Sequence, residues 1–234
     1  MGFWKYFKEE VKVIRDRDPA IHSDSEVLLY SSFWAVFWYR IAHRLYEKKH
    51  FFLARAISQH AVRRTGIEIH PGARIGEGLF IDHGSGVIIG ETTVIGNNVT
   101  LYQGVTLGGT GKEQGKRHPT IEDNVMISTG AKVLGSFTIG ANSKIGAGSV
   151  VLKPVPPNCT VVGVPGRIVK RTDNAGLPCD DLNQTDLPDP VRDDINNLKH
   201  TDTEITNHVI ELELEVRELK RELERCRQNR QEGS

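Results

Sequence analysis

The sequence predicts a mainly β protein: a left-handed parallel β-helix, with an α-helical cap at its N-terminus and a coiled-coil-like helix at its C-terminus. Three observations predict it. From Ile69 to Val151 an Ile, Leu or Val recurs every sixth residue, often with Gly behind it. That register breaks twice, once at Asp82-His83 and once in a Gly-rich stretch that begins at Gly108. Beyond Val191 the apolar spacing changes to heptads.

The hexads fall into three runs: Ile69, Ile75, Ile81; then Ile89, Ile95, Leu101, Leu107; then Ile121, Ile127, Val133, Ile139, Ile145, Val151. A period of six matches neither the helical 3.6 nor the strand 2. A fixed period of this kind marks a solenoid. Three six-residue faces make one triangular coil, the aliphatic residue of each face pointing into the shaft. Stacked coils pair their backbones and bury one another's apolar layers. These thirteen positions make about four coils. Gly76, Gly90, Gly96, Gly140 and Gly146 are expected where the chain bends, at positive φ.

Composition narrows the classes. The chain has 234 residues, with 30 Lys+Arg against 30 Asp+Glu, so net charge supports neither a nucleic-acid nor a membrane partner. The N-terminal Met1-Gly2-Phe3-Trp4-Lys5 lacks a signal-peptide layout. The apolar run from Val27 to Ala42 is short for a membrane span and contains Arg40, so a buried helix is expected. Cys159, Cys179 and Cys226 are odd in number and widely spaced, which points to a reducing, cytoplasmic setting without a disulfide framework or zinc knuckle.

Residues 1–66 read as helices. Phe3, Phe7, Val11 and Ile14 recur at helical spacing. Arg15-Asp16-Arg17-Asp18 is a charged break, and Pro19 sets a new start. A second helix is expected from Ser25-Glu26 through Leu28, Leu29, Phe33, Phe37, Ile41 and Leu45, and a third from about Phe51 until Gly66 ends it. Such a cap covers the open first coil. Residues 67–171 form the β-helix, which the prolines at 154, 156, 157 and 165 bring to a close. The polar, Pro-containing residues 172–190 read as a linker.

Residues 191–230 read as a coiled-coil helix. Val191, Ile195, Leu198, Ile205, Val209, Leu212, Val216, Leu219, Leu223 and Cys226 fill a and d positions, and Asp202 alone interrupts the seam. A coiled coil makes the chain an oligomer, and a three-stranded bundle suits a β-helix that associates side by side.

Loops thrown out of a rigid scaffold are where chemistry concentrates. Four stretches of this chain together resemble serine O-acetyltransferases: Asp82-His83; Leu107-Gly108-Gly109-Thr110-Gly111-Lys112 through Arg117-His118-Pro119; Lys144 through Val151; and Gly163-Val164-Pro165-Gly166-Arg167. Arg17-Asp18-Pro19-Ala20 is similar to that family's N-terminal motif. The resemblance covers about residues 3 to 170. Hexapeptide repeats alone indicate acyltransferases in general; the Asp-His, Arg-His and Asp-Pro-Ala motifs are more specific.

The resemblance implies acetyl transfer from acetyl-CoA to the hydroxyl of L-serine, as in cysteine biosynthesis, with no metal. A serine hydroxyl needs a base, and histidine suits neutral pH. His83 is that base by resemblance. Glu68, fifteen residues earlier and close to one coil away, is expected to orient it, where the enterobacterial forms usually carry Asp. Asp18 and Asp82 are expected to hold the substrate ammonium, and Arg117 and His118 its carboxylate. Backbone N–H groups of Gly108 and Gly109 are candidates for the oxyanion. The pantetheine arm of CoA is expected along small residues, Thr129, Ala147 and Gly148, in a groove between adjacent subunits. Lys112, Lys116, Lys170 and Arg171 are candidates for its phosphates.

L-cysteine, which shares the ammonium and carboxylate of serine, is the expected feedback inhibitor. The expected assembly is a homotrimer or a dimer of trimers. The family's cysteine synthase complex uses a C-terminal Ile, whereas this chain ends Glu232-Gly233-Ser234, which argues against it. The alternatives are an acetyltransferase for another hydroxyl acceptor such as a sugar, a zinc-dependent carbonic anhydrase, whose histidine pair five apart is missing, and a trimeric scaffold.

Overall fold

The computed structural model describes residues 3–111, 114–171 and 190–232. Residues 1–188 form one compact unit and residues 189–234 a second. In the first unit the helical cap consists of α1 (Phe3–Arg17), a 3₁₀ turn at Asp24–Leu29, α2 (Ser31–Glu47) and α3 (Phe51–Thr65). Gly66 ends α3 in the left-handed conformation, its N–H bonded to the Val62 carbonyl, as its position predicted.

The second helix differs from expectation. Residues 18–23 form a turn and an extended stretch, not a helix start at Pro19, and the helix proper waits until Ser31. Tyr30 is extended, and Leu29 is exposed instead of joining the core. The break has a physical cause: Tyr30 leaves the helical path and donates its hydroxyl to Asp18.

The shaft follows the hexads. The first coil is β1 (Glu68–Ile69), β2 (Arg74–Ile75) and β3 (Phe80–Ile81); the second is β4 (Ile88–Ile89), β5 (Val94–Ile95) and β6 (Thr100–Leu101). The third is β7 (Thr106–Gly108), β8 (Thr120–Ile121) and β9 (Met126–Ile127). The fourth is β10 (Lys132–Leu134), β11 (Thr138–Ile139) and β12 (Lys144–Ile145), and β13 (Val150–Val151) opens a fifth. Three parallel faces result: β1-β4-β7-β10-β13, β2-β5-β8-β11 and β3-β6-β9-β12, the last continued by β14 (Cys159–Val162) and the antiparallel β15 (Arg167–Arg171).

Register explains the sequence. On the first face Ile69, Ile89, Leu107, Val133 and Val151 stack on one another. On the second, Ile75, Ile95, Ile121 and Ile139 do so, and on the third Ile81, Leu101, Ile127, Ile145 and Val161. Every predicted hexad aliphatic is buried. Burying one such side chain contributes roughly 1.5–3 kcal/mol, so this column is the main source of the fold's stability.

The edges follow other rules. None of Gly76, Gly90, Gly96, Gly140 and Gly146 adopts positive φ, contrary to expectation. At Gly76 and Gly140 a side chain would run into the backbone of the next coil, so close approach is what they permit. The left-handed corner positions are instead Gly78 with Asn98, Asn124, Asn142 and Asn158 on one edge, and Gly86, Gly104, Gly130 and Gly148 on another. The asparagines tolerate this conformation and form a ladder, with Nδ2 of Asn124 donating to Asn142 at 3.1 Å and that of Asn142 donating to Asn158 at 3.1 Å.

The cap satisfies carbonyls of the first coils that no earlier coil could pair. Tyr39 donates to the Ala73 carbonyl at 2.7 Å, Arg40 to Ile75 and Gly76 at 2.7 and 2.6 Å, and Ser58 to Ile69 at 2.8 Å. Arg40, the residue that argued against a membrane span, is thus a structural clamp. No helix among the described residues is long and apolar enough to cross a membrane.

The second unit is described by itself. It is one helix, α4 (Pro190–Glu232), of 43 residues, and residues 191–221 are exposed along its length. Most of the expected linker, 172–189, lies outside the described residues, as does Lys112.

Candidate active site

The first break in the hexads puts Asp82 and His83 on the edge between the third and first faces. Strand β3 ends at Ile81, and His83 takes the corner at φ 57°. A non-glycine residue in this region is uncommon, although histidine is among those enriched there. The conformation turns the imidazole outward: its side chain is 74% exposed, against 26% for Asp82, so the ring is available to a substrate. Gly84 must lack a side chain, because a Cβ there would strike Ile67 of the coil below.

Asp18 joins this edge from the cap. Arg17 anchors the loop by donating to the Gly78 carbonyl at 3.1 Å and to Thr100 Oγ1 at 3.2 Å. Oδ1 of Asp18 accepts from the Ala20 N–H at 2.8 Å, closing a turn, and Oδ2 accepts from the Tyr30 hydroxyl at 2.5 Å. Burial raises the Asp82 carboxyl above its ordinary range, His83 opposes that, and Asp18 adds to it. The Tyr30 phenol is pushed to about 12 by burial and by Asp18, so it stays a donor. Two acids facing each other at one edge are relieved by a cation between them.

His83 Nε2 lies 4.0 Å from Asp82 Oδ1. Glu68, outward on β1, has its Oε1 held by Arg55 of α3 at 3.3 Å and is not within ion-pair distance of His83. The loop carrying His83 does stack on the start of β1, since Gly86 N–H donates to the Gly66 carbonyl at 3.0 Å.

Above His83 the same edge turns on glycine corners, with small residues at 128–131 and 146–149. Residues 102–105, 128–131 and 146–149 stack there, bonded by Gly104 N–H to Ser85, Gly130 to Gln103 and Gly148 to Thr129, at 2.8, 2.9 and 2.8 Å. Thr129, Ala147 and Gly148 are therefore brought to the His83 edge as a shallow ledge. Nothing lies within 4 Å of where a Cβ on Gly130 or Gly148 would sit.

Arg117 and His118 are on the next edge, across the first face. The N–H groups of both donate to Thr92 Oγ1, at 3.0 and 3.1 Å. The Thr92 backbone N–H donates to His118 Nδ1 at 3.2 Å, so the ring proton resides on Nε2. Burial, then the Arg117 charge, holds His118 below its ordinary 6.5, which makes it a neutral donor. Its ring lies against Gly90, where any side chain would overlap it. Arg117 pairs with Glu91, and Tyr46 donates to the same carboxylate at 2.9 Å, so Glu91 stays ionised, held below its ordinary range chiefly by Arg117.

Gly108 and Gly109 start the long loop on this Arg117 edge, so within one chain they are not beside His83. Lys116 donates Nζ to the Thr92 and Pro119 carbonyls at 2.8 and 3.1 Å, stapling the loop. Lys170 is exposed on β15, opposite Thr160 of β14. Sequence reasoning missed Tyr30, Tyr46, Arg55, Glu91 and Thr92, because their partners lie 12 to 45 positions away. Among the described residues no cluster of His, Cys, Asp or Glu could hold a metal ion.

The shaft and its outlying loops define a class first. Residues 118–153 match the family model "Bacterial transferase hexapeptide (six repeats)". Serine acetyltransferase of Bacillus licheniformis is 59% identical over 95% of this chain and 96% of its own length. A solved serine acetyltransferase complex with cysteine superposes with a TM-score of 0.75 at 44% identity, covering 78% of this chain and 71% of the other. One from Brucella abortus in complex with coenzyme A gives 0.70 at 43% identity, covering 74% and 70%. The chain belongs to the serine acetyltransferase family.

Proposed function

We infer that the protein is an acetyl-CoA-dependent serine acetyltransferase whose site is assembled from the His83 edge of one subunit and the Arg117 edge of another. The observation that carries the assembly is the split itself. Asp18, Asp82 and His83 share one edge, and Arg117 and His118 the next. A face is about six residues wide, roughly 20 Å at a rise of about 3.3 Å per residue, and one amino acid does not span it. Three parallel shafts side by side bring unlike edges together at each seam, in keeping with a closed cyclic trimer.

In that site the substrate ammonium lies between Asp18 and Asp82, and its carboxylate meets Arg117 and the His118 Nε2–H. His83 takes the proton from the serine hydroxyl as the oxygen attacks the thioester carbon. The C–O bond forms, the C–S bond breaks, and the imidazolium returns its proton to the departing CoA sulfur. Gly108 or Gly109 of the neighbouring edge supplies an N–H to the oxyanion. The pantetheine arm runs along Thr129, Ala147 and Gly148, with Lys170 and Lys112 for its phosphates. Glu68, paired at Oε1 with Arg55 and out of reach of His83 in the free chain, orients the imidazole once its side chain swings toward the ring. L-cysteine occupies the same ammonium and carboxylate holders and so inhibits; the cysteine complex of a relative supports this.

Following CoA release with L-serine, L-homoserine and a galactoside as acceptors tests the reading. Serine should be preferred by at least about tenfold in kcat/KM, because the extra methylene of homoserine misplaces its hydroxyl and a galactoside lacks both charged groups. Equal turnover of the galactoside would move the protein to the sugar-acceptor class.

A further inference from the structure

Helix α4 is about 64 Å long at 1.5 Å per residue, and it carries an exposed apolar stripe. Val191, Leu198, Leu212 and Leu219 are exposed by 62, 69, 47 and 64%. A lone helix gains nothing from such a stripe, since helical stability in proteins comes from burying the apolar face. The heptad frame puts Ile195, Val209 and Val216 at a, and Leu198, Ile205, Leu212 and Leu219 at d. β-branched residues at a over mostly Leu at d suit parallel coiled coils of few strands.

The flanking charges choose both partner and direction. In a parallel, in-register coil, each g residue meets the e residue five positions later on its neighbour. That rule sets Asp194 against Lys199 and Glu215 against Lys220, each pair opposite in charge, with His208 against Glu213 and the neutral Thr201 against Thr206 between them. An antiparallel coil instead sets e against e, which in a full overlap brings Lys199 beside Lys220 and repels. Residues 215 and 220 are five apart on one helix and so do not face each other within a chain. Their complementarity has meaning only between copies.

We propose that α4 zips in parallel and in exact sequence register with α4 of other copies of this same chain, the Glu215–Lys220 pairs fixing the direction. The occupant of the stripe is thus a second copy, and the tails of one assembly gather together instead of bridging two assemblies head to head. Asp202, at an a position, meets its own counterpart; a polar residue there costs stability and marks the register. The proposal does not depend on acetyl transfer.

The test uses the full-length chain with Cys179→Ser and Cys226→Ser, leaving Cys159, which is buried. Leu198→Cys and Leu219→Cys are introduced separately, with Asn207→Cys, outside the seam, as control. Mild oxidation should cross-link each seam variant to itself between chains at least roughly tenfold faster than the control, because a disulfide needs Cα atoms about 5.5–6 Å apart. Glu215→Lys in the Leu219→Cys chain should slow the link, and adding Lys220→Glu should restore it. Faster linking of Leu198→Cys to Leu219→Cys in a mixture than of either to itself overturns the parallel register. Seam rates equal to the Asn207→Cys rate overturn the coil altogether.

Discussion

The Tyr30 hydroxyl donates to Asp18 Oδ2 at 2.5 Å, joining the residue before α2 to the loop that faces Asp82. This one contact accounts both for the interruption of the second helix and for the aim of an acid at the His83 edge. Removing it with Tyr30→Phe leaves the packed ring and frees the carboxylate. A lost hydrogen bond to a charged group is worth about 1.5–3 kcal/mol. KM for serine should rise about ten- to hundredfold, with KM for acetyl-CoA unchanged; equal rises would show a general loosening of the cap.

The proposed sharing of the site between subunits makes a distinctive prediction. His83→Ala should lower kcat at least about a hundredfold, as loss of a general base does. Arg117→Ala should raise KM for serine. Co-assembled after denaturation and renaturation together, the two variants should regain about a quarter of wild-type activity, the fraction of seams that random mixing leaves with both intact halves. Mixed assemblies, verified by mass, that stay inactive would place the whole site in one chain.

Gly90 should tolerate nothing larger. Gly90→Ala pushes a methyl into the His118 ring, which must move off the position that Thr92 gives it. Serine binding should weaken more than tenfold, since a misdirected polar group close to substrate costs about 1–3 kcal/mol. Gly148→Ala, with nothing within 4 Å of the new atom but a φ of 66°, should act instead through backbone strain and the acetyl-CoA KM.

Glu68 and Asp82 can be told apart kinetically. Glu68→Gln should lower kcat by about ten- to a hundredfold with little change in KM for serine, the signature of an orienting group that acts through the base. Asp82→Asn should raise KM for serine instead. A Glu68→Gln variant with unaltered kcat would leave the carboxylate as no more than a partner for Arg55.

Glu10 on α1 gives the stability a pH dependence. Burial, eased by Arg40 and increased by Glu9, raises its carboxyl from 4.5 to about 7. The folded chain therefore binds more protons than the unfolded chain between those values, so this group's contribution falls as pH rises from 4.5 to about 7 and is flat beyond. Glu10→Gln should remove that slope from the melting temperature measured between pH 5 and 7.5 (roughly the window above). An unchanged slope would assign it to other groups.

The sequence by itself determined the shaft. A period of six leaves one aliphatic residue per face, and only a triangular coil buries them all, so Ile69 through Val151 were legible without coordinates. It determined the helical cap, the end of α3 at Gly66 and the heptads of α4, because periodicity and end signals are local. The Asp-His and Arg-His motifs were legible through a resemblance, with their identities but without their positions.

Only the tertiary structure decided the rest. Which corners need positive φ depended on how successive coils stack, and asparagines took one edge where hexad glycines were expected. Tyr30, Glu91 and Thr92 became visible only once residues far apart in the chain were neighbours. The separation of His83 from Arg117 by a whole face also arose there. Sequence spacing says how many residues lie between two side chains, whereas the turns of the coil decide on which edge of the prism each one emerges.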